Sequence, residues 1–301
     1  MSPADLPLRR ACLLLAFVVA AWGANWSVSK ALLDYVSPLW ATALRALLAC
    51  AGLWLLCLAR AGVRPPARAD LPLVCSVGVL HMTAFSLLCS LGLQALPAGR
   101  SIVLAYTTPL WVLPAARLFL GEPLHAARVL GLLLGLAGLA LMLRPGAFDW
   151  HDSRVLAGHA CILGAALCWA ACIVYGRAHP GRTAAFALLP WQLLLAATLL
   201  GALALAVEGL PRLPSAPRFW GLLAYASLVG TVLAYWAMNT VNRGMPASFT
   251  SMALLAVPVA GLLFATLALR EPLDLWLAAA SALVVAGVAC SARRPAGAGR
   301  G

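Results

Sequence analysis

The sequence predicts an all-α polytopic membrane protein whose ten transmembrane helices form two inverted five-helix repeats. Three observations lead to this fold class. Hydrophobic residues make up 63% of the 301 residues and charged residues only 10%, whereas a soluble domain carries about 25% charged residues. Apolar runs of about 20 residues, long enough to cross a bilayer as a helix, recur along the chain. Finally, one proline-bearing pattern occurs twice at a fixed distance.

Ten apolar runs are predicted to span the membrane. The first five lie at residues 11–29, 38–58, 71–93, 101–120 and 126–143. The second five lie at residues 155–176, 184–207, 219–241, 247–269 and 273–292. Runs that are so long and so uniformly apolar exclude the alternating strands of a membrane barrel, so the spans are predicted to be helices.

Both halves contain a proline inside an apolar run and a glutamate–proline pair soon after it. Pro109 and Glu122 in the first half match Pro258 and Glu271 in the second, since 258 − 109 and 271 − 122 both give 149. A fixed offset indicates two halves built on one pattern. Each half holds five runs, an odd number, so the second half enters the membrane with opposite polarity.

These boundaries divide the chain into three parts. The first repeat covers residues 11–143, the second covers residues 155–292, and residues 293–301 form a basic tail that is predicted to be disordered. Inverted repeats of this kind are the usual construction of secondary transporters.

The net charge of +12 is explained by membrane topology. When the ten helices are threaded with the N-terminus inside, 13 basic residues fall on the inner side and 7 on the outer side. This is the direction of the positive-inside rule, so both termini are predicted to be cytoplasmic. No nucleic-acid partner is expected.

The cysteines and acidic residues do not indicate an enzyme. All nine cysteines fall inside apolar runs, without a CxxC pair or a histidine at ligand spacing, and are predicted to be buried apolar residues. Asp149, His151 and Asp152 in a loop are too few for a catalytic cluster. We therefore expect no metal, no cofactor and no catalytic activity.

Polar and aromatic residues that recur every three or four positions share one helix face and could line a solute cavity. Nine residues are predicted to do so: Trp22, Asn25, His81, Phe85, Tyr106, Trp169, Tyr235, Asn239 and Ser251. Two alternatives stay open. His81 could couple protons, since the ordinary pKa of histidine is about 6.5, or it could donate a hydrogen bond to a backbone carbonyl. Asn239 could contact the solute or a neighbouring helix.

Five further residues are expected to shape the fold. Pro109 and Pro258 should kink their helices and release backbone carbonyls near the binding site. Glu122 and Glu271 lie in tight turns, where each should stabilise the N-terminus of the helix that follows. Arg45 lies about two turns inside the second run and is expected to snorkel or to tie that helix to a neighbour.

Several motifs together resemble the EamA-type transporters of the drug/metabolite transporter superfamily. They are the WGANW segment at 22–26, Arg45, the YTTPL segment at 106–110 and the LGEPL segment at 120–124. The resemblance implies ten helices in two inverted repeats. It also implies that helices one, three, four, six, eight and nine surround a central cavity, supported by helices five and ten. Many bacterial members export amino acids or other small metabolites.

The expected function is therefore secondary-active transport across the bacterial inner membrane by alternating access. The only acidic residue inside a predicted span is Asp274, at the second position of the tenth run, so the cargo should be a small neutral or zwitterionic metabolite such as an amino acid. The expected partners are this solute and the lipid bilayer. A lipid-handling or regulatory membrane subunit without small-solute transport remains the alternative.

Overall fold

The computed structural model describes residues 7–60, 63–123, 125–144, 146, 148–245, 250 and 253–292. All regular secondary structure in these residues is helical, and they contain no strand, which confirms the predicted all-helical fold. Seven helical stretches are long and apolar enough to cross a membrane, and three shorter apolar helices accompany them. The predicted tail at 293–301 and part of the ninth apolar run lie outside the described residues.

We label the apolar helices α1 to α10 in chain order. The long helices are α1 (Leu8–Leu32), α2 (Pro38–Ala59), α3 (Arg68–Ala95), α4 (Ala98–Leu120), α6 (Ser153–Ala178), α7 (Ala185–Glu208) and α8 (Pro217–Gly244). The shorter helices are α5 (Ala126–Met142), α9 (Ala256–Leu269) and α10 (Leu275–Ser291).

Large apolar side chains cover much of the outer surface. Leu118 on α4 is 76% exposed and Leu267 on α9 is 78% exposed. Contiguous apolar surface of this kind is unfavourable in water. Surrounding lipid removes the penalty, which is why the helices can be apolar on every face.

The packing between helices is symmetric when the two halves are exchanged. Helix α1 of the first half packs on α8 and α9, and its counterpart α6 packs on α3 and α4. Likewise, α2 packs on α8, and its counterpart α7 packs on α3. Helices α2 and α7, α4 and α9, and α5 and α10 each pack against their own counterpart. Matching positions of the two halves therefore meet near the centre of the molecule.

Helices α5 and α10 approach to backbone distance through glycines. A Cβ atom added to Gly131 would lie 2.4 Å from the Gly287 carbonyl oxygen, and one added to Gly287 would lie 2.6 Å from the Gly131 carbonyl oxygen. No larger residue fits either position without moving a helix. Small residues at such contacts are the usual means of close helix packing in membranes.

Helices α3 and α8 each contain a π-helical segment at matching places. The segments are Val77–Phe85 and Tyr225–Leu233, and 225 − 77 and 233 − 85 both give 148. In each, a threonine hydroxyl donates a hydrogen bond to the carbonyl five residues earlier, at 2.8 Å for Thr83 and 2.9 Å for Thr231. Segments of π-helix are rare and often occur at functional sites. The hydropathy pattern gave no sign of them.

Contacts between the connecting segments define two ends of the bundle. At the Glu122 end, the Glu122 carboxylate lies 3.3 Å from the guanidinium of Arg177, where α6 finishes. At the Glu271 end, the Glu271 carboxylate accepts a hydrogen bond from the backbone N–H of Ala98, where α4 begins. Because α4 runs from Ala98 to the turn that contains Glu122, 23 residues of helical chain separate the two ends.

Candidate functional site

A cavity of about 340 Å³ lies among α1, α2, α3, α4, α6, α7 and α8, with Leu254 also in its wall. Small-molecule sites occupy about 300–1,000 Å³, so the cavity has the size of a site for a small solute. Seven of the nine predicted residues line it: Trp22, Asn25, His81, Phe85, Tyr106, Trp169 and Tyr235.

Trp169 of α6 and three aromatic side chains around it form a cluster. The His81 ring stacks on Trp169 with centroids 5.2 Å apart and an interplanar angle of 8°. Phe85 and Tyr106 contact the same indole edge-on, with centroids 5.3 and 6.1 Å away. Such ring pairs contribute about 0.5–1.5 kcal/mol each beyond the area they bury. The cluster therefore holds its rings in fixed orientations.

A second ring pair crosses from one half to the other. Trp22 of α1 contacts Tyr235 of α8 edge-on, with centroids 5.8 Å apart. Trp22 and Trp169 occupy matching places in the first helix of each half, and each contacts rings of the opposite half. The cavity therefore lies at the interface between the halves and takes aromatic residues from both.

The two π-helical segments contribute directly to the wall. His81, Met82 and Phe85 come from the segment in α3, and Gly230 and Thr231 come from the segment in α8. A π turn contains more residues than the usual 3.6 of an α-helical turn, so it changes which side chains share a helix face. These segments thus help to decide which side chains reach the cavity.

Asn25 of α1 packs directly against the backbone of α8. A Cβ atom added to Gly230 would lie 2.6 Å from the Asn25 side-chain oxygen, so a larger residue there would require the Asn25 side chain to move. The Asn25 side-chain oxygen is buried and has no hydrogen-bond partner in the described part of the chain. This is an unusual arrangement, because most buried polar side-chain atoms are paired.

Arg45 of α2 also lines the cavity, although the sequence indicated a structural role for it. Its electrostatic neighbours are Cys89, Tyr235 and His81, all in the cavity wall. Within the described residues, no Asp or Glu contributes to that wall. The signal that could have found Arg45 was present in the sequence, because an arginine inside an apolar span is a functional candidate by default.

One predicted residue is not brought to the cavity, and one other cannot be placed. Asn239 lies on α8 beyond Tyr235, half-buried and outside the cavity lining. It is therefore not part of the site in this conformation. Ser251 lies outside the described residues.

The two prolines lie beside interruptions in their helices. Helix α4 is interrupted at 106–107, and Pro109 stands in the first turn of the segment that follows, Thr108–Leu120. Pro258 likewise stands in the first turn of α9, just after Leu255. Proline is well tolerated in a first turn, where its missing N–H has no intrahelical partner to lose. The helices are thus broken just before Pro109 and Pro258, and each proline begins the segment that follows the break.

The carbonyls near Pro109 are also satisfied, contrary to prediction. The Thr107 hydroxyl donates to the Leu104 carbonyl at 2.6 Å, and the Thr108 hydroxyl donates to the Ala105 carbonyl at 2.8 Å. The Thr108 hydroxyl therefore supplies to the Ala105 carbonyl the helical hydrogen bond that Pro109 cannot make. These carbonyls are not left for a solute.

Glu271 does not cap the helix that follows it, which corrects the prediction for this residue. Glu271 accepts hydrogen bonds from the N–H groups of Ala98 and Gly99, at 2.7 and 2.9 Å, and so caps α4 of the other half. The cap of α10 is Asp274, which accepts from Leu277 at 2.6 Å. Sequence spacing revealed the turn, but it could not reveal a partner 173 residues away.

Glu122 makes ion pairs in place of a cap. Its carboxylate lies 3.2 Å from the Arg128 guanidinium and 3.3 Å from that of Arg177. Helix α5 begins after His125 without a side-chain cap. In the described residues Glu122 therefore does not cap α5, and it contacts the first turn of that helix through Arg128.

Helices α2 and α7 form walls that the family resemblance did not include. Small or apolar residues dominate there: Ala41, Ala46, Ala49, Leu193, Ala196 and Leu200. Hydroxyl groups of Thr42, Ser86 and Ser90 were also missed. Isolated small and hydroxyl residues occur throughout apolar helices, so their sequence pattern does not distinguish a cavity wall from a helix contact.

The lining is distributed unevenly between the two ends. From the ring cluster it extends through Ser29 and Leu93 to Leu32 and Ala41, which lie at the Glu271 end. The described residues contain no group of three or more His, Cys, Asp or Glu that could hold a metal ion. The site is thus an aromatic pocket with one arginine and several hydroxyl groups.

An all-helical membrane protein with an aromatic cavity between two similar halves belongs to the class of polytopic transporters. The EamA-like transporter family matches this chain twice, at residues 9–144 and 156–293. The chain therefore belongs to the EamA-like transporter family, as its motifs had suggested.

Relatives extend over nearly the whole chain. The uncharacterized transporter YvbV of Bacillus subtilis is 30% identical over 285 residues, covering 94% of this chain and 92% of its own. The uncharacterized transporter YoaV of the same organism is 25% identical, with coverage of 90% and 92%. The crystal structure of another protein superposes with a TM-score of 0.65 at 22% identity, covering 93% of this chain and 95% of the other. The last match shows the fold alone.

Proposed function

We propose that the protein is a secondary-active transporter that exports a small neutral or zwitterionic metabolite, such as an amino acid, by alternating access. The observation that carries the proposal is the cavity between the halves, which is closed by rings from both. Trp22 faces Tyr235, and Trp169 faces rings of the first half. Secondary transporters bind their cargo at such an interface between repeats.

The proposed architecture is a pair of inverted five-helix repeats at 11–143 and 155–292. Two observations support it. The contacts between helices are symmetric when the halves are exchanged. In addition, Glu122 and Glu271 occupy matching places in the two halves yet lie at opposite ends of the bundle. In this proposal the shorter helices α5, α9 and α10 also cross the bilayer, which gives ten spans.

The proposed location is the bacterial cell membrane, with both termini and the Glu122 end on the cytoplasmic side. The support is the distribution of basic residues, 13 of which fall on that side against 7 on the other. The cavity lining then extends from mid-membrane toward the outer side.

Alternating access requires the halves to move relative to each other. We assign the bending points to the breaks before Pro109 and Pro258 and to the π-helical segments of α3 and α8. These places carry irregular backbone hydrogen bonds and adjoin the cavity. Rocking about them would close the lining at the Glu271 end and open it at the Glu122 end.

Counterflow in proteoliposomes tests the function. Vesicles that contain the purified protein are preloaded with one unlabelled compound and diluted into the labelled compound, over a panel of amino acids, sugars and nucleosides. We expect transient accumulation of at least one labelled amino acid. Trp169→Ala should reduce the initial rate about tenfold, since each lost ring contact is worth about 0.5–1.5 kcal/mol.

Trp220→Ala provides the matched control, because Trp220 is exposed and lies outside the cavity. It should retain the wild-type rate. Failure of the whole panel to show counterflow would contradict the proposal and favour a lipid-handling or regulatory subunit. Equal rates for both tryptophan variants would remove the cavity from the transport route.

A further inference from the structure

We infer that the cavity recognises a carboxylate, and that Arg45 is the residue that binds it. This inference rests on the proposed transport function and changes its cargo class, from neutral or zwitterionic metabolites in general to compounds that carry a carboxylate. The cargo is an organic acid with an apolar or aromatic body, and an ammonium group on the same molecule is not required. Free amino acids meet this condition, whereas sugars, nucleosides and amines do not.

The first step of the argument is the position of the charge. Arg45 lies in an apolar span and faces the cavity together with Ala46, Ala49 and Met82. Arginine stays protonated in proteins, so it cannot escape the cost of burial by losing its proton. A buried charge is tolerated only where an opposite charge or hydrogen-bond acceptors accompany it.

The second step is that the described part of the protein offers no counter-charge. The chain contains nine acidic residues, of which Asp5 lies outside the described residues. The other eight belong to helix ends and connections: Asp34, Asp70, Glu122, Asp149, Asp152, Glu208, Glu271 and Asp274. None of these eight lines the cavity or forms an ion pair with Arg45.

Most of these acids already have partners at the ends of the bundle. Asp70 accepts from the N–H of Arg182 at 2.7 Å, and Glu208 accepts from the Ser37 hydroxyl. Glu122 and Glu271 are held as described above. The geometry therefore leaves the charge of Arg45 to be balanced by whatever enters the cavity.

The third step concerns the rest of the ligand. The rings of Trp22, His81, Trp169 and Tyr235 also line the cavity. Counted along their helices, they lie further from the Glu271 end than Arg45 does. This part of the wall suits a flat or apolar group. Nothing in the described wall carries a negative charge for an ammonium group. A planar guanidinium binds a carboxylate through two parallel hydrogen bonds, which fixes the orientation of the acid with its body toward the rings.

The test compares four probes that share a phenylethyl body and differ in the polar group. They are 3-phenylpropionate, L-phenylalanine, 3-phenylpropionamide and phenethylamine, each titrated onto the wild-type protein in lipid nanodiscs by calorimetry. We expect the two acids to bind, and the amide and the amine to bind at least about tenfold more weakly, as the loss of a charge-assisted pair implies. This comparison does not depend on any variant folding correctly.

Variants then assign the effect to Arg45. Arg45→Gln should weaken both acids about 10- to 100-fold and bring them close to the amide, while Arg45→Lys should keep part of the preference for acids. Arg218→Gln is the control, since Arg218 is exposed and outside the cavity, and it should bind as the wild type does.

Three results would overturn the inference: no binding of either acid, binding of the amide or amine as tight as that of the acids, or unchanged acid affinity in a monodisperse Arg45→Gln protein. The counterflow panel separates this failure from failure of the transport proposal. Counterflow of sugars or nucleosides without counterflow of acids would refute the inference and keep the transporter. Binding of acids without counterflow of any compound would refute the transport proposal and keep the site.

Discussion

The two glutamate–proline turns have the same backbone and different partners. Gly121 and Arg270 both adopt the left-handed conformation, with φ of 66° and 55°. In both turns the glutamate N–H donates to a helix carbonyl at 3.3 Å, from Glu122 to Ala116 and from Glu271 to Ala265. The repeated sequence therefore determines the turn, because these hydrogen bonds are local.

The side chains of the two turns differ because their surroundings differ. Glu271 caps α4 through two backbone N–H groups, whereas Glu122 pairs with the partly exposed Arg128 and Arg177. A transporter with inverted repeats exchanges the conformations of its halves between states. In any one state, matching residues of the two halves should therefore make different contacts. The proposed mechanism thus leads us to expect the contrast between the two turns.

Removing the carboxylates should give the largest difference between the turns. Glu271→Ala leaves two N–H groups of α4 without acceptors, and we expect it to lower the free energy of unfolding by about 2–3 kcal/mol. Glu122→Ala removes partly exposed ion pairs and should cost less than about 1 kcal/mol. Equilibrium unfolding in mixed micelles measures both. Equal losses would mean that the two turns are equivalent in solution.

The basic residues at matching places should give a smaller difference. Lys30 donates to the carbonyls of Leu93 and Leu96, while Arg177 pairs with Glu122. Lys30→Met should cost about 1–2 kcal/mol, since a charged donor to buried carbonyls is lost, and Arg177→Met about 0.5 kcal/mol. The same unfolding measurement applies. A larger loss for the Arg177 variant would mean that the Glu122 end of the bundle is held more firmly than the Glu271 end.

The smallest effects should come from the left-handed residues. Arg270→Gly should stabilise the protein by up to about 1 kcal/mol, because glycine adopts this conformation without strain. Gly121→Ala should destabilise it by about 1 kcal/mol, although no atom lies within 4 Å of the added Cβ. Shifts of the same sign in both variants would show that the two turns do not share a backbone conformation.

Much of the fold could be predicted because it depends on local chemistry. Apolar run length indicates helices, and the 149-residue offset indicates the repeat that the family match also shows. The aromatic residues of the cavity could also be predicted from local sequence spacing. Trp22, His81 and Trp169 recur at helical spacing inside apolar runs, where few other rings lie so deep.

The remaining features depend on contacts that sequence spacing does not encode. Glu271 meets Ala98 across 173 residues. The π turns of α3 and α8 arise in segments of ordinary apolar composition. Arg45 was interpreted by its distance from the membrane surface, whereas its role depends on whether an acidic residue packs against it. Each of these requires the tertiary arrangement of several helices.

The most direct test of the inverted arrangement is to locate the two turns relative to the membrane. In a variant whose nine cysteines are replaced, His125→Cys and Leu273→Cys place single thiols at exposed positions beside Glu122 and Glu271. An impermeant maleimide added to intact cells should label the Leu273→Cys protein, and should label the His125→Cys protein only after permeabilisation. Labelling of both thiols from the same side would contradict the inverted repeats and with them the proposed transport mechanism.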